Sequence, residues 1–338
     1  MKVLFIGPTY IGDAAIATGL LDHLLNQHPD ARLTIACGSA AAPLLRAVPN
    51  LDRIVPVVKR GTFGHWIDLW LQFVGTQWDV VVDLRGSGLA WFLRARKRYV
   101  FRVRNDVAHR TQALAATLGL RDLPPPVMWT TPAEDAEARR LLPPDGPVIA
   151  LGPTGNWPPK LWPAERFVEL VRRLTAPDAP LPNARIAVLA AEHERPIVAP
   201  LLAGLPPERT IDLVGRLKLT GVCAVLKRAT LFIGNDSGPL YLAVACGIPA
   251  VGLFGPTPGL FGPPVGAIPA PWAPKAAAIR TQESASTVRD TPIDGPLGWQ
   301  LMDGLTVDIA EQGTRQLLAR LKDVSDGEDR AGGQGSRL

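Results

Sequence analysis

The chain has 338 residues, 47% of them hydrophobic, and a formal net charge of +5. That apolar share can fill a core in each of two domains, while no run of about 18 uninterrupted apolar residues offers a membrane-spanning helix. Cys37, Cys223 and Cys246 are odd in number, sit in apolar contexts and lack metal-ligand spacing, which argues against a disulfide framework or a zinc site and for a reducing cytoplasm.

In chain order, strand and helix alternate. Residues 2–8 read as a strand, 13–27 as a helix with Ile16, Leu20, Leu21, Leu24 and Leu25 on one stripe, and 32–37 as a second strand. The start at Met1 runs straight into that first strand without a cleavable leader, so the expectation is a soluble protein. A helix over 39–48, a strand over 53–58, an amphipathic helix over 63–74 and a strand over 79–84 follow. The Val80-Val81-Val82 run suits a parallel sheet covered on both faces. Residues 91–98 and 108–118 read as helices around a strand near 99–102. A helix over 132–142 leads to a proline-rich hinge at 143–147, and the alternation restarts: strand 148–151, helix 163–174, strand 185–190, helix 192–202, strand 211–214, helix 219–226. Residues 261–304 read as proline-rich loops, and 306–321 as a closing amphipathic helix before a tail expected to be disordered. The pattern predicts an α/β protein of two Rossmann-like, doubly wound halves facing each other across a cleft.

Chemistry concentrates where strands give way to helices. The strand ending at Gly234 passes through Asn235 and Asp236 into a helix that starts at about Ser237, and such a helix start attracts phosphate through free N–H groups and the macrodipole. In the loop Gly7 to Asp13 the three-glycine dinucleotide spacing is missing; Asp13 reads either as a helix N-cap or as a carboxylate able to act as general base. Thr154 and Lys160 follow the strand 148–151, where the lysine either neutralises a diphosphate or decorates the surface. Glu192 is placed to bind a ribose diol or to serve as an ordinary first-turn acid.

Positive charge gathers at Arg94, Arg96, Lys97, Arg98, Arg102, Arg104 and Arg110, with Asp106 the sole acid among them. No nucleic-acid-binding motif accompanies this charge, so nucleic acid is not expected as a partner. An anionic membrane face, a phosphorylated glycolipid and a plain solvated surface all remain compatible with it.

Taken together, Ile11-Gly12-Asp13, the run from Trp157 to Pro163, Ala191-Glu192-His193-Glu194, the run from Leu217 to Val222, and Gly234-Asn235-Asp236-Ser237-Gly238 with Phe254-Gly255-Pro256-Thr257 resemble glycosyltransferase family 9, the lipopolysaccharide heptosyltransferases. The resemblance spans nearly the whole chain and implies the GT-B fold. It implies an acceptor-binding domain over 1–143, a nucleotide-sugar domain over 147–305, a closing helix over 306–322 and a tail over 323–338. It also implies metal-independent, inverting transfer of heptose from ADP-heptose to an anionic core acceptor at the inner membrane, with no cofactor.

By position, Asp13 matches the base, Lys160 the diphosphate ligand and Glu192 the ribose acid. Leu217 matches the apolar contact to the base, Asp236 the sugar contact, and Ser237 with Gly238 the phosphate contact; Thr154 and Tyr241 fall in the same donor region. Lys59, Arg60, Arg94, Arg98 and Arg104 are the expected acceptor contacts. The chain departs from the family at Tyr241, where histidine is usual, and at Tyr10, where a small residue is common. It departs also after Thr257, where an aspartate is missing, and at Leu301-Met302, which replaces a Cys-Met pair. A nucleotide-sugar epimerase of similar fold and a non-catalytic binding relative are the alternatives.

Overall fold

The computed structural model describes residues 1–58, 64–102, 110–142, 144–255, 274–281 and 300–334, with the side chains of Arg110, Gln300 and 325–334 excepted. The chain divides into two compact units. One holds 1–138 with 218–225; the other holds 139–217, 226–255 and the described residues from 274 onward.

The first unit is built on five parallel strands: β1 (Lys2–Ile6), β2 (Arg32–Gly38), β3 (Leu51–Val57), β4 (Trp78–Asp83) and β5 (Ala95–Val100), in the spatial order β3-β2-β1-β4-β5. Growth outward from β1 in both directions puts the topological switch between β1 and β4, where Ile6 pairs with Asp83. Val3 to Ile6 and Val80 to Val82 are buried, as a sheet with helices on both faces requires. Its helices include α1 (Ile11–Gln27), α2 (Gly64–Phe73), α3 (Arg110–Thr117) and α4 (Pro132–Leu141), the last running into the second unit. Leu4, Ile6, Leu69, Phe73, Trp78, Val81 and Leu93 form one face of the core.

The second unit carries six parallel strands: β6 (Val148–Gly152), β7 (Arg185–Val188), β8 (Thr210–Asp212), β9 (Leu231–Asn235), β10 (Ala250–Phe254) and β11 (Ala276–Arg280), ordered β11-β10-β9-β6-β7-β8. Its helices are α5 (Ala164–Leu174), α6 (Arg195–Gly204), α8 (Gly238–Ala245) and α9 (Val307–Gln334), while most of α7 (Leu219–Leu226) belongs to the first unit. Three glycines stand side by side across the middle strands, Gly152 paired with Gly234 and Gly234 with Gly252. A Cβ on Gly234 would lie 2.6 Å from the Gly152 carbonyl oxygen, and one on Gly252 would lie 2.6 Å from Leu240 Cδ2 of α8. Only bare backbone lets α8 settle this close to the sheet.

Several expected elements differ. Residues 95–100 form the edge strand β5 and not a helix, because pairing with β4 from Trp78↔Ala95 to Asp83↔Val100 overrides local preference. Charged Arg96 and Lys97 on that edge discourage further strand addition. The helix expected over 39–48 is a single 3-10 turn, Ala42–Leu45, confined by Pro43 and Pro49. Pro196 near the start of α6 splits the expected 192–202 helix into a 3-10 turn, Glu192–Glu194, and α6 itself. Strand β11 falls in a stretch read as loop, and α9 runs on to Gln334, past the expected end at 322.

Candidate functional site

In the second unit, the site residues hang on a buried asparagine. Asn235 ends β9 fully buried; its Nδ2 donates to the Pro153 carbonyl at 2.7 Å and its Oδ1 accepts from the Trp162 backbone N–H at 3.3 Å. The indole of Trp162 donates to the Leu305 carbonyl at 2.7 Å and packs edge-on against Phe167. Both ends of the 153–162 loop are thereby fixed to the end of β9, and the loop carries Lys160 on a 3-10 turn, Pro158–Lys160.

Lys160 Nζ lies 2.7 Å from Asp236 Oδ2 and 3.3 Å from the Asp236 carbonyl oxygen. The other carboxylate oxygen, Oδ1, accepts from Tyr241 Oη at 2.9 Å. Lysine and aspartate side chains are 16% and 18% exposed, so the pair is largely withdrawn from water. Asp236 thus meets a cation and a phenol before any ligand arrives.

The register brings a second cation alongside. Leu253 pairs with Asn235 and Phe254 with Arg280, which sets Asp236, Phe254 and Arg280 at one level across three neighbouring strands. The Arg280 guanidinium sits 5.2 Å over the Phe254 ring. Burial pushes its pKa down, opposed by the charges of Asp236 and Tyr241. Among the described residues, its buried Nε and Nη2 have no hydrogen-bond partner, and neither has Ser237 Oγ. Ser237 takes the N-cap position of α8 with extended backbone, yet its hydroxyl makes no capping bond. Buried groups left unmatched cost about 1–3 kcal/mol each, a cost that an anion with several acceptor oxygens can relieve. Lys160, Arg280, Ser237 and the backbone of Gly238 at the start of α8 are suited to a phosphorylated ligand.

Thr154 is buried just after β6. Glu192 and Leu217 belong to a second group, after the carboxyl ends of β7 and β8. Glu192 is 70% exposed, lies 3.4 Å from Arg195 Nε, and rests over Gly215, whose φ of 71° and missing Cβ make room for the carboxylate. Leu217, two residues on, is half-buried. All these positions follow strand ends on the same edge of the sheet.

Asp13 belongs to the first unit. It occupies the first turn of α1, half-buried, and the N-cap position is held by the exposed Tyr10, so the N-cap reading of Asp13 does not apply. At the end of β4, Asp83 is fully buried and accepts from Arg85 N, Ser87 N and Ser87 Oγ at 2.9, 3.0 and 2.7 Å, holding the loop next to β1. Arg94 is exposed, whereas the Arg98 guanidinium donates to the carbonyls of Ala90, Leu93 and Ala95 at 2.9, 2.6 and 2.9 Å. Those bonds tie Arg98 to its own turn. Lys59, Arg60, Arg104 and Thr257 lie outside the described residues.

Sequence reasoning passed over Arg280 because β11 is a short alanine-rich run without alternation. Asn235 and Asp83 were passed over because each reads as an ordinary polar residue at a strand end.

Comparison with known proteins gives the family and the fold. Residues 70–294 match the family model for glycosyltransferase family 9 (heptosyltransferase). The lipooligosaccharide heptosyltransferase 2 of Haemophilus influenzae is 23% identical over 359 residues, covering 95% of this chain and all of that one. Among solved structures, a family 9 glycosyl transferase from Veillonella parvula is similar at a TM-score of 0.74 and 19% identity, over 94% of this chain and 97% of that one. The E. coli ADP-heptose LPS heptosyltransferase II is similar at 0.68 and 19%, over 95% of this chain and all of that one. The fold is that of these GT-B-type proteins.

Proposed function

The chain belongs to glycosyltransferase family 9 and is a glycosyltransferase, and from that premise we propose that it moves heptose from ADP-heptose onto a lipopolysaccharide-core acceptor, with inversion, at the cytoplasmic face of the inner membrane. The names of the similar proteins support the sugar and the acceptor class. The observation that carries the donor side is the Lys160–Asp236–Tyr241 cluster beside the start of α8, with Arg280 at the same level.

In this reading the second unit holds the donor. Lys160, Ser237, Gly238 and Thr154 receive the diphosphate; Glu192 binds the ribose diol and Leu217 packs on the base. Asp236 and Tyr241 contact the sugar, which makes Tyr241 the residue that sets donor preference. The first unit supplies Asp13 and binds the anionic acceptor through Arg94 and its basic neighbours, joined in sequence by Lys59, Arg60 and Arg104. Arg98 contributes to that surface through the turn that it braces.

Asp13 takes the proton from an acceptor hydroxyl as its oxygen attacks the anomeric carbon. The bond from that carbon to the diphosphate oxygen breaks with inversion, and ADP departs with the electron pair. Negative charge developing on the leaving diphosphate is met by Lys160 and by the N-terminal end of α8, a fixed electrostatic arrangement that requires neither a divalent metal nor a resident cofactor.

The test is transfer from ADP-heptose to a heptose-deficient lipopolysaccharide by wild type and Asp13→Asn. Loss of a general base predicts a fall of about 100-fold or more in turnover with ADP binding retained. Near-wild-type turnover by the variant removes Asp13 from the chemistry. Interconversion of the donor without any acceptor would instead identify an epimerase.

A further inference from the structure

A helix on the surface of a domain needs one apolar stripe, and α2 carries two. Leu69 and Phe73 are buried against the sheet, and Trp66 packs beside them. Ile67, Trp70 and Leu71 follow the i, i+3, i+4 spacing of a second stripe, which faces away from that core; Ile67 is 58% and Leu71 62% exposed. The second stripe continues onto the 3-10 turn Leu89–Phe92, because the Trp70 indole N–H donates to the Phe92 carbonyl at 3.1 Å. There Trp91 is 57% and Phe92 74% exposed. Single exposed apolar residues are ordinary, whereas two tryptophans, a phenylalanine and two branched aliphatics on adjoining elements are a binding surface.

Charge decides what binds. The chain leaves Phe92 directly into Arg94, Arg96 and Lys97, all exposed, on and just before the edge strand β5. Asp79 is 3.4 Å from Arg96, so one acid there is already matched, and Asp68 is the acid on α2 itself. Aromatic and branched side chains beside a basic rim match a lipid headgroup boundary, where indole rings settle at the interface and cations meet anionic lipid. Among the described residues no helix is long and apolar enough to cross a membrane, so any such contact is made from the surface.

We propose that the face formed by α2 and the 89–92 turn seats this chain on an anionic lipid bilayer, with Ile67, Leu71, Trp91 and Phe92 entering the headgroup layer and Arg94 contacting anionic lipid. This deepens the membrane part of the proposed function, and its test reads lipid binding with no sugar donor or acceptor present. Failure of sugar transfer therefore leaves it standing, and failure of lipid binding leaves the transfer reading standing.

The experiment is co-sedimentation of the full chain with vesicles of phosphatidylcholine alone or mixed with phosphatidylglycerol. Wild type is expected to partition onto the mixed vesicles, with a blue shift of tryptophan emission and a loss of binding at high salt. The double variants Trp91→Ser/Phe92→Ser and Ile67→Ser/Leu71→Ser are expected to lower partitioning at least about tenfold. These residues are exposed, and unchanged circular dichroism and thermal midpoint show that the variants fold. Wild type that stays in solution with both vesicle types overturns the proposal, as does equal partitioning of the variants. A concentration-dependent dimer in sedimentation velocity, lost in both double variants while vesicle binding is absent, also overturns it and assigns the face to a second copy.

Discussion

Replacing Lys160 with methionine separates its two tasks. In the free protein its ammonium is 2.7 Å from Asp236 Oδ2, with both side chains less than a fifth exposed. Breaking a buried ion pair by removing one partner costs about 3–5 kcal/mol, because the other charge is stranded. Here Asp236 keeps the Tyr241 hydroxyl at 2.9 Å and the Arg280 cation nearby, so the expected loss of stability is smaller, about 1–2 kcal/mol. For the ligand, the lost contact is a hydrogen bond from a charged donor to phosphate, about 1.5–3 kcal/mol, or roughly 10- to 150-fold in Kd. Calorimetric titration with ADP and with adenosine reads this directly: ADP affinity falls by that factor and adenosine affinity does not change. Asp236→Asn makes the complementary case, since it removes an anion from the phosphate neighbourhood. It should leave ADP affinity unchanged or tighter while transfer collapses. Equal ADP affinity for wild type and Lys160→Met, at equal stability, would refute the phosphate assignment.

Arg280→Gln should weaken ADP about tenfold while sparing adenosine, because a bidentate cation is replaced by a neutral amide; a fall in thermal midpoint with unchanged ADP affinity would make Arg280 purely structural. The Arg172 and Arg173 guanidiniums hold the Glu169 carboxyl down to about 2 from its ordinary 4.5, and Arg173 also reaches Asp308 and Glu311 of α9. A lowered carboxylate pKa gives stability that is complete above the unfolded value and is lost as pH falls toward the folded one. Wild-type and Glu169→Gln melting temperatures should therefore differ near neutrality and converge between about pH 4.5 and pH 2. Gly234→Ala drives a methyl into the Gly152 carbonyl and the Phe232 ring, and should cost about 1–3 kcal/mol in denaturant unfolding. Burial pushes the Cys37 thiol up to about 12, so in the native protein it should resist thiol reagents until the chain unfolds; rapid native-state labelling of Cys37 would show its burial to be wrong.

The βαβ alternation was legible because both sheets are parallel and covered, so strands such as Val80 to Val82 are apolar throughout and the intervening helices carry their own period. The start of helix α8 was legible to within a residue, since Ser237, Gly238 and Pro239 announce a start that little else resembles. Strand β5 was not. Its Arg-Lys-Arg core has no apolar face, and its state is decided by the neighbour that it pairs with, which a local window does not contain. Strand β11 was hidden for the opposite reason, as three alanines and an isoleucine carry no period at all. At the site, Lys160 and Asp236 were each suspected singly, but 76 residues separate them, and only the Asn235 staple shows why they meet. Arg280 went unseen with its strand.

The Gly152–Gly234–Gly252 row also determines where this protein has freedom to change. A Cβ on Gly252 meets Leu240 of α8, one on Gly152 meets Phe232 and then Pro239 of α8, and one on Gly234 meets the Gly152 carbonyl and Phe232, so all three positions of the row are crowded. Tyr241 stands on the same helix, half-buried, and its hydroxyl reaches Asp236. In the proposed reading, a new preference among sugars can be written at Tyr241 or in the loops, while the floor beneath them stays fixed. The row works as a datum line: in the proposed reading, specificity varies above it and the position of the phosphate does not.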